Sequence, residues 1–213
     1  MKVKCIIYKL FLALMLFTNC KQHPHEENEG KINEVDNYRS SFKAFLNKFK
    51  VIKLPYYFSD NNDNISGLNT LDEGSADTLF IKPEGGSCYC QGILPDTSKY
   101  YAVIVLFPAD SYYPMLYTFS KAGKKISKEF LLVAGCGPGP EVVYCNSTTT
   151  IYKNNSIYSA DSATLLDVDS TGAPIKNTED STVRFKKGYI SKSGKVIISG
   201  IENISLARRN QHL

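Results

Sequence analysis

Tyr101-Ala102-Val103-Ile104-Val105-Leu106-Phe107 is the stretch on which the fold turns. From Ala102 to Phe107 no side chain is polar, and Val, Ile and Phe dominate. Asp96-Thr97-Ser98-Lys99 precedes the run, and Pro108-Ala109-Asp110-Ser111 ends it. A run this short, rich in β-branched residues and closed by turn formers, reads as a strand buried on both faces. A strand of that kind belongs in the middle of a sheet with cover on each side.

Outward from it, similar runs recur. Thr78–Ile81, Met115–Phe119, Lys128–Val133, Val142–Tyr144, Thr148–Tyr152, Ser162–Val168, Thr182–Phe185, Tyr189–Ser191 and Lys195–Ile198 are strand-like, separated by Gly, Asn, Asp and Ser. One turn pattern occurs three times: Phe119-Ser-Lys-Ala-Gly123-Lys-Lys-Ile126, Val168-Asp-Ser-Thr-Gly172-Ala-Pro-Ile175 and Ile190-Ser-Lys-Ser-Gly194-Lys-Val-Ile197. Each predicts a hairpin closed by glycine in the left-handed region. The unequal spacing of the copies excludes a fixed-period solenoid. The class expected is mainly β: an antiparallel meander over about 56–205, closing as a small barrel, a sandwich or a partial propeller.

Before Pro55 the period changes. Val35, Tyr38, Phe42, Phe45, Leu46 and Phe49 fall at helical steps, with Asn33 placed to cap, so one amphipathic helix is expected over about 34–49. Core packing explains its aromatic stripe better than a membrane surface does.

Further toward the N-terminus, Lys2 and Lys4 precede an apolar run from Cys5 to Phe17 interrupted by Lys9. A membrane-spanning helix needs about 20 residues, and this run is shorter, as the apolar part of an export signal is. It ends in Leu16-Phe17-Thr18-Asn19-Cys20, which resembles the lipobox of bacterial lipoproteins. The resemblance covers about the first 20 residues. It departs from the usual pattern at Asn19, where a smaller residue is commoner, and at Phe17. It implies cleavage before Cys20, a lipid on Cys20, and a membrane as the first partner. The expected layout is a signal peptide over 1–19, a polar tether over 20–32 and one β-rich domain over 33–213. The expected location is the bacterial cell envelope, in the outer membrane, at its periplasmic face or the cell surface.

Residues 1–19 hold three lysines and no acid, so the remainder carries 22 basic against 21 acidic residues. No basic stripe runs along the sequence, and nucleic acid is not an expected partner. His23, His25 and His212 are the only histidines and all lie near a terminus. That removes Ser-His-Asp and Cys-His catalysis and a His-ligated zinc from the body of the chain.

Four cysteines remain beyond Cys20: Cys88, Cys90, Cys136 and Cys145. An even number in an oxidising compartment predicts two disulfides. Residues two apart on a strand have Cα atoms about 6.6–7 Å apart, which disfavours a Cys88–Cys90 bridge. Each would then join one of Cys136 and Cys145. A four-thiolate metal site is the rival reading; no metal and no cofactor is expected. Two acidic loops, Asp60-x-Asn62-x-Asn64 and Asp167-x-Asp169-x-Thr171-Gly172, open like calcium loops but lack the closing glutamate, and read as turns.

No catalytic constellation emerges. The chain reads as a lipid-anchored, non-catalytic envelope protein that binds an unidentified protein or glycan. A carboxylate-based, glycosidase-like hydrolase is the alternative, with Asp72, Glu73, Asp110, Glu141, Asp161, Glu179 and Asp180 as candidate acids. A cysteine-based metal handler comes third. The binding residues put forward are Asp110, Tyr112 and Tyr113, in a loop bracketed by Pro108 and Pro114 and expected to be stiff. Pro138 to Glu141 is a second candidate segment.

Overall fold

The computed structural model describes residues 26–206 apart from 63, 84, 85, 135, 136 and 138, with side chains from Asp36 onward except at Asn62. The expected signal peptide, Cys20 and Cys136 lie outside the described residues. Two compact units divide at Ser40/Ser41. In the first, the described residues are helical throughout and begin α1 (Glu26–Leu46). The helix thus starts earlier than the apolar spacing indicates and includes part of the expected tether. Glu26, Glu27 and Glu29 suit the positive end of a helix dipole, which needs no apolar stripe.

The second unit holds the end of α1 and all the strands: β1 (Tyr56–Ser59), β2 (Thr70–Leu71), β3 (Cys88–Ile93), β4 (Tyr100–Pro108), β5 (Tyr112–Ser120), β6 (Lys125–Phe130), β7 (Val142–Ile151), β8 (Ser156–Leu165), β9 (Asp180–Ile190), β10 (Val196–Ile198) and β11 (Glu202–Leu206). They form two antiparallel sheets. One runs β2-β3-β4-β5-β6; the other runs β1-β7-β8-β9-β10, with β11 also pairing to β9. Neither closes into a barrel. Among the described residues, no helix is long and apolar enough to cross a membrane.

The run first quoted is β4, between β3 and β5. Val103, Val105 and Phe107 face one core with Phe42, Phe45, Phe49, Tyr117 and Phe119. Ala102, Ile104 and Leu106 face the other, shared with Leu116, Ile151, Ile157 and Val196 of both sheets. Alternate residues of a strand point to opposite faces. The mixed faces of this one strand therefore account for its unbroken apolar sequence.

Thr78–Ile81, expected as a strand, lies instead largely in a 3-10 turn over Ala76–Leu79. Its local bonds explain the difference: the Thr78 N–H donates to Ser75 O and the Thr78 hydroxyl to the same carbonyl, while the Phe80 N–H donates to Asp77 O. The three repeated turns form as expected. Gly123, Gly172 and Gly194 all have φ near +84°, at 84°, 83° and 84°. The amide of each donates to the carbonyl three residues back, at 2.9–3.0 Å.

Candidate functional site

The proposed recognition loop is tighter than its prolines suggest. Pro108 ends β4 and pairs with Tyr112, and Pro114 lies inside β5 opposite Leu106. The turn is only Ala109–Ser111, closed by the Ala109 N–H to Ser111 O at 3.0 Å. Asp110 is exposed at its tip. Tyr112 meets Tyr89 edge-on, with centroids 5.3 Å apart. Tyr113 stacks on Phe107 at 5.7 Å and touches Phe130 at 5.6 Å. Both rings are half-buried, and both seal edges of the core. Of the second segment, Pro138 lies outside the described residues and Glu141 is half-buried.

A cavity of about 140 Å³ lies along β1, lined by its four residues Tyr56–Ser59 together with Asn64, Gln91 and Leu106. β1 is an edge strand, so some of its backbone groups stand outside any ladder. Gln91 is the extra residue of a β-bulge, where the β3–β4 register shifts between Cys90 and Gly92. Bulges re-aim side chains. Gly92 permits this one: a Cβ there would lie 2.9 Å from the Lys50 carbonyl oxygen. That carbonyl accepts from the Ile93 N–H at 2.9 Å.

Two buried polar atoms of this wall, Tyr56 Oη and Gln91 Oε1, have no hydrogen-bond partner of normal geometry, although the Gln91 amide lies close enough to act on the Tyr56 phenol. Tyr56 is 7% exposed. Burial raises its phenol above the ordinary value, partly offset by the nearby Gln91 amide. An unpaired buried hydroxyl or amide is costly, on the order of 1–3 kcal/mol, until something bonds it. Asn64 adds a polar group, although its Oδ1 already accepts from the Ser66 N–H at 3.0 Å. No lining side chain is charged.

The candidate acids are dispersed. Asp72, Glu73, Asp110 and Glu179 are exposed, and Glu141 and Asp180 are half-buried. Asp72 accepts from Ser87 and Thr70. Asp161 alone is buried. Its Oδ2 accepts from Arg184 at 3.0 Å and from the Ala134 N–H at 3.2 Å, while Oδ1 has no partner. Lys186 donates to Phe130 O at 2.8 Å, and Thr149 to Leu131 O at 3.0 Å. Burial lowers the Lys186 ammonium, opposed by Glu129 and Asp161. These side chains serve the backbone at and just beyond the end of β6, where its ladder with β5 gives out.

The cysteine expectation is corrected. Cys88 and Cys90 are free and buried, so the bridges from them to Cys136 and Cys145 do not form. Both thiols face the core that holds Phe42 and Phe45, on the side of their sheet away from the other sheet. Cys145 lies in that other sheet, on β7. It is disulfide-bonded, with neither Cys88 nor Cys90 as its partner. Desolvation pushes both free thiols up to about 12, with Asp72 and Asp77 adding to the shift. Among the described residues no group of three His, Cys, Asp or Glu side chains is placed to hold a metal. In the second acidic loop, Asp169 Oδ1 accepts from the Thr171 hydroxyl at 2.6 Å and the Thr171 and Ala173 amides at 2.8 and 3.0 Å. The Thr171 hydroxyl and these amides hold its carboxyl below the usual range. It serves the turn.

Sequence reasoning did not find the Tyr56–Gln91 cavity. Its residues come from three strands and a loop, and no spacing along the chain links positions 56, 64, 91 and 106. Compared with protein-family models, curated proteins and solved structures, the chain matches none.

Proposed function

We propose that the chain is a non-catalytic binding protein of a bacterial cell envelope, held at a membrane by a lipid on Cys20. Its ligand, a protein or a glycan, places one uncharged hydroxyl or carboxamide group in the cavity beside β1. The observation that carries this reading is the pair of unsatisfied buried atoms, Tyr56 Oη and Gln91 Oε1, on a cavity wall without charge. A comparable engineered cavity of about 150 Å³ with an apolar wall admits benzene. Here the polar wall favours a group of that size that donates and accepts hydrogen bonds. The lining also argues against acid–base chemistry in the cavity. Its one titratable side chain besides exposed Tyr57 is Tyr56, and burial moves that phenol further from neutrality. The hydrolase alternative has less support, because its candidate acids are dispersed.

Two measurements test the reading. Mass spectrometry of the mature N-terminus checks the anchor: an acylated Cys20 is expected, and an unmodified start at any other residue refutes it. Amide NMR of the Cys20→Ser chain, titrated with N-acetylglucosamine, acetamide and acetate, checks the cavity. The two neutral probes should shift Gln91 and its neighbours, acetate should not, and Tyr56→Phe should weaken binding about tenfold, as loss of a buried hydrogen bond does. Equal response to acetate, or no change in Tyr56→Phe, moves the site elsewhere.

A further inference from the structure

Two of the three repeated turns meet in space. Ser120-Lys121-Ala122-Gly123-Lys124-Lys125 joins β5 to β6, and Ser191-Lys192-Ser193-Gly194-Lys195 joins β9 to β10. The Thr118 hydroxyl donates to Gly194 O at 2.6 Å, and the Val196 N–H donates to Ser127 Oγ at 3.1 Å. A Cβ on Gly194 would lie 3.0 Å from Ile126 and from the Tyr100 ring. The two turns come from different sheets, so only the tertiary fold makes them neighbours.

Together they gather Lys121, Lys124, Lys125, Lys128, Lys192 and Lys195, all exposed, while 119–128 and 189–197 contain no acid. Beyond residue 19 the chain is nearly neutral, with 22 basic against 21 acidic residues. The positive charge is therefore concentrated here rather than general. The third copy of the turn has Ser170 and Ala173 at the two positions where both others have lysine, and it carries Asp169. Exposed Ile126 and Ile197 stand among these lysines.

We propose that the paired lysine turns lie against the anionic phosphate headgroups of the membrane that tethers the chain. The orientation rests on the lipid-anchor reading; the surface itself does not. Lysine ammoniums are hydrated point charges without a fixed fork, suited to a fluid array of phosphates rather than to one rigid partner. Exposed isoleucines between them match the boundary between headgroup and acyl chain. A nucleic-acid partner would be met by arginine forks, whereas both turns carry lysine and no arginine. A single lipid anchor also gains from a second, basic signal on the same chain.

The test uses the mature chain carrying Cys20→Ser, so that no acyl group contributes. Its sedimentation with phosphatidylglycerol–phosphatidylcholine vesicles is compared with pure phosphatidylcholine, at low and high salt. Each lysine at an anionic surface is worth about fivefold in binding. The variant K124Q/K125Q/K192Q/K195Q should therefore bind the mixed vesicles at least about tenfold more weakly. Lys121 is spared because it donates to Thr97 O and covers the Tyr101 ring. K82Q/K176Q, exposed lysines outside the two turns, should bind like the parent, and all proteins should share one thermal midpoint. Equal binding to neutral vesicles, no loss in the fourfold variant, or retention on heparin without vesicle binding would overturn the proposal. None of these results bears on acylation of Cys20, which the N-terminal mass decides separately.

Discussion

The two sheets differ in how they bury themselves. The five-stranded sheet is apolar on both faces: β4 sends Val103, Val105 and Phe107 to one core and Ala102, Ile104 and Leu106 to the other. The six-stranded sheet buries mainly one face, and that face is graded. Ile151 and Ile157 are apolar, but Thr149, Ser159, Ser147, Asp161 and Lys186 are also buried. In register the polar residues form rows across strands, Thr149 beside Ser159 and Ser147 beside Asp161. The lesson concerns what a polar residue on a strand means. In this sheet Thr149, Asp161 and Lys186 do not mark a solvent face. They bond Phe130 O, Leu131 O and the Ala134 N–H, where β6 ends and its ladder with β5 gives out.

That contrast can be broken by paired substitutions. Leu116 is fully buried on the first sheet. Leu116→Ala should cost about 3–5 kcal/mol, combining lost transfer energy with the cavity left behind. Thr149→Val, nearly isosteric, removes the donor to Leu131 O and should cost about 1–3 kcal/mol, because a buried carbonyl is left unpaired. Urea unfolding of both variants measures the difference. A Thr149→Val protein as stable as the parent would mean that the polar row is incidental.

The same contrast explains what was legible in the sequence. The Ala102–Phe107 run is readable because burial on both faces erases alternation. The three glycine turns are readable because only glycine takes positive φ without cost. β1 was missed: Tyr56–Ser59 is short and alternates, and it follows Pro55 directly. The cavity was missed with it, since Gln91 reaches the wall only through a bulge. For the cysteines, even number and compartment suggested bridges. Which face of β3 the thiols occupy decided otherwise, and spacing alone does not reveal that. Tyr112 and Tyr113 read as loop residues in the sequence, but both lie in β5 and their contacts are with Tyr89, Phe107 and Phe130, which the spacing along the chain does not reveal.

The thiols offer a second way to sharpen the contrast, through pH. Cys88 and Cys90 are neutral in the folded state up to about 12, against 9.0 when exposed. Their contribution to stability is fully present below pH 9 and is lost as pH rises toward 12, because the unfolded thiols ionise first. Buried Tyr56 works in the same direction, and Lys186, whose ammonium is lowered, works against it. Comparing the parent with Cys88→Ala/Cys90→Ala isolates the thiols, since the other groups are common to both. The parent's urea midpoint should fall more steeply between pH 8 and about 11. Identical slopes would show that the thiols are accessible to solvent and that this face of the sheet is less closed than its apolar sequence implies.

The smallest difference expected lies between two glycines in the same kind of turn. Gly172 and Gly194 share φ, at 83° and 84°, so alanine pays the same left-handed backbone cost at each, about 1–2 kcal/mol. Their surroundings differ. A Cβ at Gly172 meets nothing within 4 Å, whereas at Gly194 it lies 3.0 Å from Tyr100 and Ile126. Gly194→Ala must also shift the carbonyl that Thr118 bonds, and crowding of this kind adds about 1–3 kcal/mol. Gly194→Ala should therefore unfold at a lower urea concentration than Gly172→Ala. It should also bind anionic vesicles more weakly, because the contact that joins the two lysine turns has moved. Equal stability of the two variants would mean that the turns are not locked together, and that the six lysines belong to two independent hairpins rather than to one surface.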